Sequence, residues 1–395
     1  MEKERLLNEF LELVQIDSET KHEGHIAEVL KVKLEDMGFH VAEDDSSLRN
    51  GHAANNLVAT LRGGAANVPP IYFTAHMDTV VPGNGVKPQI RDGYVYSDGT
   101  TILGADDKAG IAALFEMIRS IQEQQIEHGD IQLVITAGEE SGLAGAKEFD
   151  SSLLFAKFGY AVDSDGKVGG IVTSAPNQAK LWTTIYGKTA HAGVAPEKGV
   201  SAINIAAKAI SAMKLGRIDS ETTANIGRFE GGKATNIVCE EVNILSEARS
   251  ISEDKLATQT AHMESVFEDT AASFGCTAKT EVKLMYPGFH FAENEPVVEI
   301  AKRAAQKIGR PSPVLTSGGG SDANIFNGFG IPTVNLCVGY EEIHTKNERM
   351  PIAELEKLAE LLIEIITETT SASTKSEREN RMYVTGSVSR RKNRN

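Results

Sequence analysis

The sequence has few cysteines and no long apolar run, and each shortage excludes a class of protein. Its three cysteines, Cys239, Cys276 and Cys337, are scattered through 395 residues without a CxxC pair, so neither a disulfide framework nor a thiolate zinc site is indicated. No stretch approaches the roughly 18 apolar residues of a membrane span. The N-terminal segment MEKERLLNEFLELVQ has an amphipathic helical pattern and lacks the apolar region of a signal peptide. We therefore expect a cytoplasmic protein with no membrane partner.

Positive charge is also scarce. The chain has 40 Lys and Arg residues against 55 Asp and Glu residues, a formal net charge of −15. Phosphate-rich surfaces repel such a chain, so we expect no nucleic acid as its main partner. The exception is a polar, basic tail at residues 370–395, which lacks periodicity. We expect this tail to be solvated and disordered, with a weak contact to an anionic partner as the alternative.

Strand and helix patterns alternate through much of the chain. Largely apolar strand patterns occur at residues 71–80, 130–140 and 158–166. Repeated alternation of this kind predicts an α/β fold with a mostly parallel central sheet that is covered on both faces.

An insertion interrupts this alternation. From residue 178 the order changes to β-α-β-β-α-β, which is the order of a ferredoxin-like unit, and the βα alternation resumes at about residue 292. We therefore predict a discontinuous main domain at residues 1–177 and 289–369, with an inserted ferredoxin-like α+β domain at residues 178–288.

Ionisable side chains cluster where the strands end, which is where open α/β sheets bind ligands. They are His76 and Asp78, Glu139 and Glu140, Asp163 and Asp165, His344 in the loop EEIHTKNE, and Asp106 and Asp107 at the start of a helix. An Asp at a helix start can also be an N-cap that binds no metal. Carboxylates that converge on one sheet edge, however, repel each other unless a cation neutralises them.

The residue types in this cluster indicate the metal. Imidazole and carboxylate without thiolate suit zinc, cobalt or manganese. More than four candidate donors indicate two metals about 3.5 to 4 Å apart, bridged by one carboxylate. His76 and Asp78 share one face of a strand, so one can bind a metal while the other orients it. Glu139 and Glu140 point in opposite directions in an extended chain, so one can bind a metal while the other acts as a general base.

Seven motifs, in order along the chain, resemble those of one enzyme family. They are HMDTV (76–80), GADDKAG (104–110), TAGEESGLAGAK (136–147), YAVDSDG (160–166), GKTAHAG (187–193), ATNIV (234–238) and HTKNE (344–348). Over residues 1 to about 368 the sequence resembles the M20 family of di-zinc metallopeptidases, and within it the peptidase T (tripeptidase) branch. The resemblance implies a zinc-peptidase catalytic domain and an inserted lid and dimerisation domain.

The resemblance also implies a set of metal ligands. His76, Asp106 and Asp163 match the ligands of one zinc ion. Asp106, Glu140 and His344 match those of the other, which makes Asp106 the bridge. The family pattern Asp-x-Lys places the bridge at the first Asp of the pair, and the peptide bond after it is usually cis in this family. Co²⁺ or Mn²⁺ are alternatives to the two Zn²⁺ ions.

Other positions match residues that act beside the metals. Glu139 matches the general base, and Asp78 matches the acid that clamps the imidazole of the first ligand. The stretch SGGGSDANIF (317–326) matches the substrate loop. The sequence departs from the tripeptidases at residues 162–165, where Val-Asp-Ser-Asp replaces Val-Asp-Gly-Gly. This departure lies next to a ligand and leaves the exact substrate open.

Three residues of the inserted domain complete the implied site. His191 matches a histidine that reaches the active site of the neighbouring subunit in dimers. Asn236 and Arg249 match residues that handle the carbonyl or carboxylate of the substrate. The resemblance therefore implies a short peptide as substrate and a homodimer formed through the lid domain.

We expect a metal-dependent exopeptidase that hydrolyses the N-terminal peptide bond of short peptides, as a tripeptidase or aminopeptidase does. The nearest alternative is an M20 carboxypeptidase, aminoacylase or deacetylase that uses the same di-metal site with a different pocket. A more distant alternative is a binding or scaffold protein that keeps the fold without catalysis. Because all five implied ligands and the general base are present, the sequence favours an enzyme.

Overall fold

The computed structural model describes residues 1–389, with side chains described for residues 1–373. Contacts divide the chain into two units. Unit 1 comprises Met1–Thr173, Phe291–Thr316 and the chain from Ser321 onward, and unit 2 comprises Ser174–His290 and Ser317–Gly320. The insertion predicted at residues 178–288 lies within unit 2. The glycine-rich segment Ser317–Gly320, which the sequence places in the main domain, belongs to unit 2 instead, because Ser317 N–H donates to the carbonyl of Ser174 at 2.8 Å.

Helices and strands alternate through most of the described residues. In chain order the helices are α1 (Lys3–Val14), α2 (Gly24–Asp36), α3 (Ser47–Asn50), α4 (Ala105–Glu123), α5 (Ala144–Lys147), α6 (Ala202–Ala212), α7 (Glu253–Ser273), α8 (Pro296–Lys307), α9 (Asp322–Gly328) and α10 (Ile352–Ser389). In chain order the strands are β1 (His40–Glu43), β2 (Leu57–Leu61), β3 (Ile71–His76), β4 (Gln89–Arg91), β5 (Tyr94–Tyr96), β6 (Ile131–Thr136), β7 (Phe158–Ser164), β8 (Ile171–Ala175), β9 (Asn177–Tyr186), β10 (Gly216–Arg217), β11 (Thr222–Gly231), β12 (Glu241–Ser250), β13 (Thr277–Tyr286), β14 (Phe289–His290), β15 (Val314–Thr316), β16 (Thr333–Cys337) and β17 (Arg349–Pro351).

The main sheet of unit 1 has the order β1-β2-β6-β3-β7-β16-β8. Its four central strands, β6, β3, β7 and β16, run parallel. The predicted mostly parallel sheet is therefore confirmed at the centre, whereas the strands towards the edges, β1, β2 and β8, pair antiparallel. The central strands are apolar and β3 and β6 are buried along their whole length, which suits parallel strands covered on both faces.

Two apolar clusters cover the two faces of this sheet. Successive side chains of a strand point to opposite faces. Phe73 accordingly packs on Tyr160, with ring centroids 5.7 Å apart, in the cluster that helices α1, α4, α8 and α10 help to build. Its neighbour Tyr72 packs on Phe326, with ring centroids 5.3 Å apart, in the second cluster. The alternation therefore fixes which face of the sheet each residue of β3 occupies.

Unit 2 contains an antiparallel sheet of order β10-β11-β12-β9-β13. Helices α6 and α7 contribute Ile205, Met263 and Phe267 to its apolar core. Strand β9 shows that only one face of this sheet is covered, since Leu181 is buried while its neighbour Trp182 is exposed. Apart from the two-residue strand β10, the order of strands and helices is the predicted β-α-β-β-α-β arrangement.

The C-terminal region differs from the prediction. A tail without periodic structure is expected from residue 370, but α10 continues to Ser389. Pro and Gly, the residues that most disfavour helices, are absent from residues 352–385, so nothing in the sequence ends the helix at residue 370. Residues 390–395 of the predicted tail lie outside the described residues. Across residues 1–389, no helix combines the length with the apolar character that a membrane crossing requires.

Candidate metal centre

The candidate metal centre begins where strand β3 ends. The last residue of this buried strand, His76, lies opposite Thr136, the last residue of the parallel strand β6. Strand β7, which contains Asp163, is parallel to β3 on its other side. The carboxyl ends of three strands therefore meet at one sheet edge, as the sequence predicts.

Four side chains, those of His76, His344, Asp163 and Glu140, meet around the Asp106 carboxylate. Asp106 Oδ1 lies 3.0 Å from Nε2 of His76, and Asp106 Oδ2 lies 3.1 Å from Nε2 of His344. Asp163 Oδ1 is 3.7 Å from His76 Nε2, and Glu140 Oε1 is 2.8 Å from His344 Nε2. The structure thus places Asp106 between two His–carboxylate pairs, which is the grouping that the resemblance implies for two metals. That these five residues bind metals stays a prediction.

A second aspartate offers its carboxylate to the same centre. The ligand atoms of His76, Asp106 and Glu140 all lie within 4.8 Å of one another. The same holds for His76, Asp107 and Asp163. The resemblance selects Asp106 over Asp107, whereas the structure brings both carboxylates into the cluster. The peptide bond between them is cis, as the resemblance implies.

The electrostatics of the centre fit a bound cation. Burial raises the pKa of Asp163 and Asp107 well above the usual range, and the charges of neighbouring carboxylates add to the shift. Hydrogen bonds to Asp106 and Glu140 raise the pKa of His344 to about 10. Among the described residues, the buried Oδ1 atom of Asp107 has no hydrogen-bond partner. Desolvated carboxylates that repel one another, together with imidazole nitrogens, form a donor set that suits zinc, cobalt or manganese.

Asp78 is buried and holds two neighbouring segments. Nδ1 of His76 lies 2.9 Å from the backbone carbonyl oxygen of Asp78 and 3.4 Å from its carboxylate Oδ1. The carboxylate accepts the backbone N–H groups of Glu139 at 3.0 Å and Glu140 at 3.2 Å. The shorter contact to the imidazole therefore comes from the backbone, while the Asp78 side chain fixes the turn that carries both glutamates.

Glu139 has the surroundings of a proton acceptor. Desolvation raises its pKa well above that of an exposed glutamate, and the charge of Asp163 raises it further. A general base is most effective when its pKa lies near the operating pH. The assignment of Glu139 as the base stays a prediction, and its surroundings are consistent with it.

Glu348 holds the segment that leads to the bridging aspartate. Its buried carboxylate accepts backbone N–H groups from Leu103 and Gly104, each at 2.8 Å, and from Asp106 at 3.0 Å. Because Glu348 lies four residues after His344, one short loop supplies both a candidate ligand and the anchor of another. Sequence reasoning missed this role, although Glu348 is the last residue of the motif HTKNE.

Asn335 and Tyr340 hold Asp163 in place. Asn335 Nδ2 donates to the Asp163 carbonyl oxygen at 2.7 Å, and its Oδ1 accepts the Asp163 N–H at 3.0 Å. The Tyr340 hydroxyl donates to Asp163 Oδ1 at 3.2 Å. An available signal was the asparagine inside the apolar strand TVNLC, since a buried amide requires hydrogen-bond partners.

The three predicted substrate residues of the inserted domain lie in unit 2. His191 and Asn236 are exposed on two paired segments, since Ala192 N–H donates to the Asn236 carbonyl at 2.9 Å. The structure therefore brings these two residues together. The Nδ1 atom of His191 accepts the N–H of Gly193 at 3.2 Å.

Arg249 extends from strand β12 of the same unit. Its Nε donates to Glu247 Oε1 at 2.9 Å, and its Nη1 donates to the Gly318 carbonyl at 3.2 Å. The guanidinium therefore bonds to the glycine-rich segment and to one carboxylate of its own unit. Whether it also binds substrate stays a prediction.

An α/β unit with imidazoles and carboxylates at its strand ends, interrupted by a ferredoxin-like unit, defines a class of metal-dependent hydrolases. Residues 72–368 match the peptidase family M20/M25/M40. The chain belongs to this family, and the predicted resemblance is confirmed.

Relatives cover nearly the whole chain. YqjE of Bacillus subtilis strain 168 is 64% identical over 364 residues, which are 92% of this chain and 98% of that protein. The crystal structure of the aminopeptidase PepT from Bacillus cereus ATCC 10987 is 62% identical with a TM-score of 0.90, covering 93% of this chain and 99% of that one. A tripeptidase from Staphylococcus aureus subsp. aureus Mu50 is 55% identical with a TM-score of 0.92, covering 94% and 99%.

Proposed function

We propose that this protein is a metal-dependent aminopeptidase that removes the N-terminal residue of short peptides, with tripeptides as its main substrates. The observation that carries the proposal is the Asp106 carboxylate, with one oxygen facing His76 and the other facing His344. The similarity to an aminopeptidase and a tripeptidase, at 62% and 55% identity, supports the substrate class.

Two Zn²⁺ ions are the proposed cofactors, with Co²⁺ or Mn²⁺ as alternatives. His76, Asp106 and Asp163 would hold one ion. Asp106, Glu140 and His344 would hold the other. When bound, such metals polarise the scissile carbonyl and lower the pKa of the attacking water towards about 7.

Glu139 moves the proton in this proposal. Its carboxylate accepts a proton from the attacking water and returns that proton to the leaving amine. Asp78 keeps the glutamate in place through the N–H groups of the turn, at 3.0 and 3.2 Å. A group that first accepts and then donates a proton is needed, because the attacking water must lose a proton and the leaving amine must gain one before it departs.

The groups that bind the two ends of the substrate would set the length of peptide that the enzyme accepts. We propose that the free amino group meets the carboxylates of the metal centre and that Arg249 binds the far carboxylate with two parallel hydrogen bonds. Asn236 and His191 would contact the substrate carbonyl. We further propose a homodimer through unit 2, in which His191 of one subunit serves the other. The free state of all three cysteines supports a cytoplasmic location.

The test is a substrate panel with the metal-loaded protein. Free tripeptides should release their N-terminal residue faster than dipeptides, and N-acylated peptides should stay intact. Preferred hydrolysis of N-acylated peptides would favour the aminoacylase or deacetylase alternative, and release of the C-terminal residue would favour a carboxypeptidase. Absence of any hydrolysis would favour a binding or scaffold protein.

The variant Glu139→Ala tests the proposed general base independently of the substrate class. Glu139→Ala should lower kcat by about 10² to 10⁴-fold, since this is the usual contribution of a general base. Metal content, measured after dialysis, should equal that of the unmodified protein. Near-normal turnover of Glu139→Ala with metal bound would refute the role of Glu139.

A further inference from the structure

The turn at residues 138–142 carries both glutamates of the candidate centre. Asp78 holds this turn through the backbone N–H groups of Glu139 and Glu140. A second set of contacts reaches the same turn from His52. The proposed function assigns no role to that histidine.

His52 lies between a buried carboxylate and the turn. Its Nδ1 atom is 2.7 Å from Oε1 of Glu23, and its Nε2 atom is 3.0 Å from Oγ of Ser141. Both His52 and Glu23 are buried, with 7% and 0% of their surface exposed. The Ser141 hydroxyl also donates to the carbonyl of Gly138 at 3.1 Å, so it closes the turn on itself. One continuous chain of hydrogen bonds therefore links Glu23 to the backbone of the turn.

The imidazole also fills the space beside the turn. Gly138 has φ of +70°, and a Cβ built there would lie 2.3 Å from Cε1 of His52. Such a distance is far inside van der Waals contact, so only glycine lets the ring approach the backbone this closely. The ring therefore limits the movement of the turn by contact as well as by hydrogen bonds.

We propose that Glu23, His52 and Ser141 are positioning residues that fix Glu139 and Glu140 for catalysis. Glu23 holds the imidazole, which in turn holds Ser141 and packs on Gly138. Asp78 accepts the backbone N–H groups of the two glutamates that lie between Gly138 and Ser141. The role assigned to Glu139 rests on the proposed function, whereas the role assigned to Glu140 can be tested by metal binding alone. Without this support the turn would keep its fold but lose the placement of both carboxylates.

Ser141 provides the sharpest test because its side chain lies at the surface, so its variants should fold. Ser141→Ala removes the two hydrogen bonds of the hydroxyl, with His52 and with the Gly138 carbonyl. It should lower kcat about tenfold at saturating metal, with KM changed by less than about twofold. Metal titration of the apoprotein with Zn²⁺ should show affinity weakened about tenfold. Ser141→Thr keeps the hydroxyl and should restore kcat and metal affinity to within about threefold of the unmodified protein.

The controls distinguish failure of this proposal from failure of the proposed peptidase function. Ser151→Ala, an exposed serine of unit 1 outside the centre, should change neither kcat nor metal affinity. If the unmodified protein cleaves no peptide, the proposed function fails, and the Zn²⁺ titration still tests the positioning of Glu140. Unchanged metal affinity and unchanged kcat in Ser141→Ala would overturn the proposal, and so would a Ser141→Thr variant that behaves like Ser141→Ala.

Discussion

Replacement of Asp78 by asparagine separates two functions that one residue combines. Asparagine has nearly the same shape, and its backbone carbonyl would still accept the 2.9 Å contact from Nδ1 of His76. One carboxylate oxygen, however, becomes an NH₂ group that cannot accept an N–H. Either the 3.0 Å bond from Glu139 or the 3.2 Å bond from Glu140 is then lost. We expect the imidazole to stay in place while the turn that carries both glutamates moves.

The size of the effect follows from the bond that is lost. A hydrogen bond to a charged group contributes about 1.5 to 3 kcal/mol. Each 1.36 kcal/mol corresponds to a tenfold change in rate, so kcat should fall by about 10- to 150-fold if the whole loss appears in the transition state. The expected fall is smaller than that of Glu139→Ala because the base is displaced rather than removed.

The assay compares turnover with metal content in matched variants. Hydrolysis of a free tripeptide at saturating Zn²⁺ gives kcat and KM, and elemental analysis after brief dialysis gives the metal content. Asp78→Asn should keep its metal through brief dialysis, because the turn moves but no ligand is removed. His76→Ala removes a ligand and should lose a metal. Equal metal loss in the two variants would refute the reasoning, because it would mean that the Asp78 side chain is needed to hold the ligand itself.

Three further substitutions test the anchoring role of Glu348, the turn at residues 138–142 and the apolar core of unit 2. Glu348→Gln puts an NH₂ group against a backbone N–H and should weaken Zn²⁺ affinity by about 10- to 100-fold in a calorimetric titration; unchanged affinity would contradict the anchoring role. Gly138→Ala should lower the free energy of unfolding by about 1 to 3 kcal/mol more than Gly142→Ala. Both glycines have positive φ, but a Cβ at Gly142 meets open space, so similar denaturation midpoints would argue against the packing of His52. Phe267→Ala should cost about 3 to 5 kcal/mol in denaturant unfolding, and a change below 1 kcal/mol would show that the unit 2 core is not packed around this ring.

The sequence alone located much of the centre because strand ends are encoded locally. The apolar run before His76 predicts a buried strand, and the period of two places His76 and Asp78 on one face. Parallel strands align their carboxyl ends, so Glu140 and Asp163 were expected at the same edge. The ferredoxin-like order of unit 2 was also visible, since strand and helix patterns succeed one another along the chain.

Other features required the fold because they join distant segments. Glu348 lies 242 residues from Asp106, and His52 lies 89 residues from Ser141. The patterns around these residues indicate burial or exposure, and they carry no information about which backbone amide or hydroxyl comes within 3 Å. The antiparallel edges of the main sheet were likewise outside the reach of local patterns.

Local periodicity thus determined which residues lie at the carboxyl end of the central sheet and which side chains the core buries. The tertiary structure decided how those residues are held. It set Asp106 between two imidazoles, and it turned the Asp78 carboxylate towards the amides of Glu139 and Glu140 rather than mainly towards His76. The physical reason is that apolar burial is encoded by neighbours in sequence, whereas a hydrogen bond needs two particular atoms within about 3 Å, and only the packed chain brings them together.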